Sequence, residues 1–170
     1  MDELQELRET VSGLERRLKE LEDSRELNEL LTLYSFFADL PTRRAEWVDL
    51  WTSDGVFDVG PSRPGKVHAR DRFEGREQLL QMITGDSMPP KGRSQHHPGT
   101  PILLEVDRDR AVADTYSITF VKDEDGIHPW NLGFRHWEFV READGWKIKR
   151  CTRREAGFAD PEAVIGPTPR

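Results

Sequence analysis

Five histidines and a single cysteine carry much of the reactive chemistry available to this 170-residue chain. Their spacing excludes more than it proposes. There is no HExxH and no CxxC, the patterns that bring ligands together on one zinc ion. His96 and His97 are adjacent, so in a regular strand they point to opposite faces and do not chelate one ion. No metal and no cofactor are expected. No GxSxG elbow and no glycine-rich phosphate loop is present. Cys151 has no second cysteine to pair with and reads as packing, which makes the cytoplasm the default location. What remains is proton transfer. An imidazole with a pKa of about 6.5 exchanges a proton at neutral pH, and a carboxylate on its other nitrogen fixes the tautomer and stabilises the imidazolium. Asp39 falls at the end of a helical pattern, where a negative charge opposes the helix dipole at a cost of ~0.3–1 kcal/mol. A carboxylate there needs a partner or a purpose.

The elements that must position such groups follow from periodicity. Leu4, Leu7, Val11, Leu14, Leu18 and Leu21 form an a/d heptad seam, with Gly13 interrupting it. The seam is too short to be stable alone, so it packs on its own domain or serves as an oligomerisation arm. A second helical pattern runs from Arg25 to Ala38, with Leu27, Leu30, Leu31, Tyr34 and Ala38 on one face. Leu40-Pro41 ends it. Thr42 can cap a short third helix carrying Trp47, Leu50 and Trp51. Ser53-Asp54-Gly55 turns the chain into a strand over 56–59. Residues 60–72 and 85–93 read as Pro/Gly-rich loops, candidate lids, with a helix between them. Strands are expected over 94–106, 111–122, 131–142 and 145–154, separated by turns at 107–109, 123–126 and 143–145.

Helices first and an antiparallel meander afterwards give an α+β domain over 25–157, preceded by an arm over 1–24 and followed by a loosely held tail over 158–170. Along the strands, Asp114, Tyr116, Ile118 and Phe120 share one face, and Gly133, Arg135, Trp137 and Phe139 share one face of theirs. These stripes supply candidate pocket residues: Asp114, Tyr116, Arg135 and Trp137. Arg135 suits a substrate carboxylate or phenolate, or else a structural ion pair. His128-Pro129-Trp130-Asn131 at a strand entrance either shapes the pocket mouth or forms a β-bulge. The net charge of −7 argues against nucleic acid or an anionic membrane as partner. No run of about 20 apolar residues spans a bilayer.

The order of fragments resembles the SnoaL-like, nuclear-transport-factor-like superfamily. The residues that carry the resemblance are Asn28-Glu29-Leu30-Leu31, Tyr34 and Asp39, then 47–58, 73–77, His97, 104–111, Gly133, 139–141 and 145–150. It covers roughly residues 25–154. The resemblance implies a cone-shaped, curved antiparallel sheet with helices packed in its concave face. Dehydratase-like members, such as scytalone dehydratase and bile acid 7α-dehydratase, pair a strand histidine with a helix aspartate, often with a tyrosine five residues earlier. Here that implies His97, Asp39 and Tyr34 as the catalytic set. The choice of His97 over His96 follows from aligning 104–107 with the family's strand motif, with no gap across 98–101. In an ideal helix, five residues turn through 500°, so Tyr34 and Asp39 do not share a face unless the helix ends early. The set suits a cofactor-independent lyase or dehydratase acting on a small apolar, aromatic or polycyclic alcohol. An isomerase, a cyclase or a retro-aldol lyase would use the same groups. A non-catalytic binding protein or dioxygenase small subunit would not need them. A homo-oligomer, dimer or trimer, is expected.

Overall fold

The computed structural model describes residues 3–60, 71–85, 94–101 and 103–156. Its longest element is one uninterrupted helix, α1 (Glu3–Asp39). The sequence pattern divides this stretch at residue 24, but the helix does not break there, because no proline or paired glycine interrupts it and the lone Gly13 costs only ~1 kcal/mol. At 1.5 Å per residue α1 is about 55 Å long. Its two halves lie in different surroundings. Leu27, Leu30, Leu31, Tyr34 and Ala38 are buried, as their spacing predicts. The six apolar residues of the N-terminal seam are 44–70% exposed. The arm therefore does not lie on its own sheet.

Between the halves, buried Asp23 ties the helix to the sheet through Arg141, whose guanidinium also lies 3.6 Å from Glu26 and 4.3 Å from the centroid of Trp146. Past Asp39, Pro41 opens a single 3-10 turn (Pro41–Arg43), followed by α2 (Arg44–Asp49). Thr42 lies inside that turn instead of capping α2, whose first flanking residue is Arg43. Proline fixes its own φ near the helical value and so starts the turn one step early.

The strands are β1 (Trp51–Asp58), β2 (Arg72–Glu74), β3 (Ser94–Pro98), β4 (Leu103–Asp107), β5 (Arg110–Asp123), β6 (Gly126–Glu142) and β7 (Gly145–Glu155); α3 (Gly75–Thr84) follows β2. Among the described residues these form one curved, unclosed sheet in the order β2-β1-β7-β6-β5-β3, with β4 also paired to β5. All pairs are antiparallel except β1 with β7, which is parallel. The C-terminal half of α1, with α2 and α3, packs in the concave face, giving an α+β fold.

Ser53-Asp54-Gly55 does not precede the strand. It lies within β1, where the register against β7 shifts between Trp51 and Val56. Gly55 suits this kink because a Cβ there would stand 3.1 Å from the Trp51 side chain and from the Thr52 carbonyl. The expected single strand over 94–106 is two strands. Most of the expected loops at 60–72 and 85–93, and the tail over 158–170, lie outside the described residues.

The inner face is built by size complementarity. Ala111, Ala113, Thr115 and Ser117 of β5 register against Phe139, Trp137, Arg135 and Gly133 of β6. Small residues on one strand leave room for large ones on the next. Trp47, Trp51 and Trp137 then surround Tyr34, with ring centroids 5.3, 6.1 and 5.0 Å away. Each such aromatic pair adds ~0.5–1.5 kcal/mol beyond burial. The indole of Trp137 is fixed by donating to Thr115 Oγ1 at 3.0 Å.

Candidate active site

The last residue of α1 meets the edge strand β3. Asp39 Oδ1 lies 2.6 Å from His96 Nδ1, and Asp39 Oδ2 accepts the backbone N–H of His96 at 2.9 Å. An ionised carboxylate only accepts, so the proton sits on Nδ1 and the lone pair is on Nε2. The His96 side chain is 10% exposed and that of Asp39 19%. Burial, the largest effect, pulls the His96 pKa below its usual value; Asp39 opposes this, and the guanidiniums of Arg135 and Arg153 reinforce it. The imidazole is therefore neutral at neutral pH, the state a general base needs. The Asp39 charge at a helix C-terminus has its partners in His96 and in Arg44. The buried Arg44 guanidinium donates to the Phe37 and Ala38 carbonyls at the end of α1, and its charge acts on Asp39.

His97 does not share this site. β3 registers His96 on Thr119 and His97 on Ile118, so His97 turns to the convex face and packs edge-on to Phe120 at 5.7 Å. The histidine paired with Asp39 is His96. Val106 packs against the core, and counting back from it in twos reaches His96. The interruption between β3 and β4 does not spoil that count. Pro98 pairs with Ser117 and Leu103 with Asp114, so five positions on one side match three on the other, and a surplus of two preserves the face.

Tyr34 lies on the same inner face, 3% exposed. Burial pushes its hydroxyl up to about 12, against the pull of Arg135, so it keeps its proton and can donate. Arg135 sits over the Tyr34 ring at 5.2 Å and over Trp137 at 5.6 Å. Its direct neighbour across the strands is Arg153 of β7. Arg153 Nη2 lies 3.8 Å from Glu155 Oε1, and Asn131 donates to that same oxygen. Thus Tyr34, Asp39, Asn131, Arg135 and Trp137 of the expected residues gather on the inner side, joined by His96, Arg44, Arg153 and Glu155.

The other expected pocket residues do not join them. Asp114 and Tyr116 register against His136 and Phe134, the face opposite Arg135 and Trp137. Asp114 is fully buried there against His136 Nδ1 at 2.7 Å, while Tyr116 is 54% exposed and packs tilted against Phe134, with ring centroids 4.8 Å apart. The strand parity was read correctly within each strand, but the two stripes lie on opposite faces. His128 and Trp130 are inside β6, not at its entrance. The register shifts there, with Thr119 on Asn131 and Phe120 on Pro129, so this is the bulge reading. His128 Nε2 faces Asp123 Oδ2 at 3.3 Å.

Beside the dyad, a cleft of about 500 Å³ opens at the end of α1. Asp39, Ser94, Gln95 and Lys122 line it together with Phe36, Leu40, Pro41, Phe120, Val121 and Ile127, while Tyr34, His96 and Arg135 do not. Apolar walls with a few polar groups are the usual build of a small-molecule site. Among the described residues no group of three or more His, Cys, Asp or Glu side chains is placed to hold a metal ion. No described helix is long and apolar enough to cross a membrane.

Residues 19–152 match the model of the SnoaL-like domain. No curated protein matches the chain at the sequence level. Among solved structures, the chain is similar to an NTF2-like protein with a cystatin-like fold from Novosphingobium aromaticivorans, at 24% identity, TM-score 0.76, covering 91% of this chain and 96% of that one. A candidate scytalone dehydratase from the same organism aligns at 17% identity, TM-score 0.66, over 86% and 97%. A candidate aromatic ring hydroxylase, also from N. aromaticivorans, aligns at 20% identity, TM-score 0.65, over 80% and 90%. These likenesses establish the fold.

Proposed function

We propose, given that this chain belongs to the SnoaL-like domain family, that it is a cofactor-independent lyase that removes water from a small apolar, aromatic or polycyclic alcohol. The observation that carries the reading is the Asp39–His96 pair, with a neutral imidazole whose Nδ1–H is held by the carboxylate. His96 Nε2 takes a proton from the carbon next to the carbinol. The C–H electron pair becomes the new double bond, the C–O bond breaks, and the hydroxyl leaves as water after receiving a proton. Tyr34, which stays protonated, is the candidate donor to that oxygen. The imidazolium proton restores the tyrosine, so substrate loses water and the enzyme is unchanged. The fold relatives include a candidate scytalone dehydratase, which supports this reaction class.

Replacing His96 with Ala should lower turnover by about 10²–10⁴, the usual contribution of a positioned acid or base, with the circular dichroism spectrum unchanged. His97→Ala should leave turnover near normal, since His97 faces the other side of the sheet. Near-normal turnover in His96→Ala would sink the mechanism. Product mass separates elimination from an isomerisation by the same groups, because isomerisation conserves mass.

We also infer that the chain self-associates through the α1 arm. The support is the exposed seam from Leu4 to Leu21. Its flanking charges match in a parallel pairing: Glu3 opposite Arg8 and Arg17 opposite Glu22 of a second copy, the g-to-e relation of a coiled coil.

A further inference from the structure

The proton-transfer chemistry leaves Arg135 without a task. The residue is 3% exposed on the inner face of β6, with its guanidinium over the rings of Tyr34 and Trp137. No carboxylate among the described residues pairs with it; its guanidinium hydrogen-bonds the Tyr34 hydroxyl, and its Nε has no hydrogen-bond partner. Its cross-strand neighbour is a second guanidinium, Arg153. Like charges directly opposite one another destabilise a sheet. A guanidinium stays protonated even when buried, so Arg135 cannot relieve the cost by losing its proton. Ring contacts return only part of what leaving water costs a charge. A buried donor without an acceptor is rare in native proteins and calls for a reason.

We propose that Arg135, backed by Arg153, is the anion subsite of this active site and that the substrate carries a carboxylate. A carboxylate matches the planar guanidinium fork by accepting two parallel N–H bonds. Both guanidiniums act on His96, so an anion held by Arg135 lies within the electrostatic reach of the acid/base pair. The inference narrows the lyase reading, from an apolar aromatic or polycyclic alcohol to one whose apolar frame also bears a carboxylate, and rests on that reading for the premise that the inner face receives a small molecule.

Calorimetric titration of the full chain with benzoate and with its neutral isostere benzamide tests this. Benzoate should bind saturably, and benzamide about thirtyfold more weakly, the loss typical of removing one member of a buried, hydrogen-bonded charge pair. Arg135→Gln should bring benzoate down to the benzamide level. Arg135→Lys keeps the charge without the fork and should fall between the two. If the Gln variant fails to fold, the Lys variant carries the comparison, and undiminished benzoate binding in it overturns the proposal. Equal binding of the two probes, binding of neither, or benzoate binding unchanged in Arg135→Gln would also overturn it. His96→Ala should keep benzoate binding. That arm separates the two readings, because near-normal turnover in His96→Ala would end the acid/base reading while leaving the titration result standing.

Discussion

His96 is held in a state set by opposing influences, and its titration is where they become measurable. Burial, Arg135 and Arg153 lower its pKa and Asp39 raises it, with a net fall below the usual value. A general base works deprotonated, so kcat/KM should rise with pH through a value below about 6.5. Arg135→Gln removes one lowering charge and should move this acidic limb upward; a limb above 6.5 in the native protein would contradict the assignment. The same depression makes stability fall on acidification. The unfolded imidazole binds its proton first, so the contribution is complete above about 6.5 and is lost as pH drops through the folded pKa. At this scale the sequence was partly legible. A carboxylate at a helix C-terminus marks Asp39 by elementary electrostatics. His96 was recoverable from alternation running back from Val106, whereas an ungapped alignment gave its neighbour. Arg153 and Glu155 were hidden by a bulge. Ile148 faces inward, yet the register shift between Glu138 and Phe139 puts Cys151, Arg153 and Glu155 on its face, not the residues two and four along.

The helices and strands themselves were read from periodicity and turn residues: β5 and β7 begin and end near the expected positions, while β6 ends where expected but begins at Gly126, five residues before the expected start. Which faces of two neighbouring strands coincide was not legible, because pairing register is set by turns and bulges spread over the whole hairpin. A size argument would have helped. Trp137 and Phe139 demand small partners, and β5 offers Ala113 and Ala111, not Tyr116. The arm is the element whose role is simplest to test. Substituting Leu7 and Leu14 together with Lys places charges at two seam positions. Sedimentation should then show a lower mass than for the native chain, with the thermal transition of the sheet retained. An unchanged mass would assign self-association, if any, to another surface.

At the scale of the molecule, arm and body are one helix, and their junction is an ion pair set on an aromatic ring. Asp23 is buried, and Arg141 is its link to the sheet, with Lys19 a weaker, exposed second partner at 3.3 Å. Arg141→Met would leave a buried carboxylate with that one partner. Stranding a buried charge costs about 3–5 kcal/mol; discounted for the partly exposed Arg141, about 2 kcal/mol remains, or a fall in Tm of roughly 4–8 °C for a chain of this size. Adding Asp23→Asn to that variant removes the stranded charge and should recover part of the loss. Calorimetric melting of the three proteins measures this directly, and additive losses would show that the two residues act independently.

The bond from the His96 N–H to Asp39 has a bearing on solubility as well as on chemistry. β3 is the last strand at its end of the sheet. Open edges present backbone donors and acceptors to any other chain, and invite intermolecular strand addition. Here one of those donors is occupied by a carboxylate from the end of a helix. A stranger's strand approaching this edge would meet a negative charge and a donor already taken. The carboxylate that holds the imidazole thus also blocks this edge against strand addition, so one side chain serves both the local geometry and the closure of the sheet.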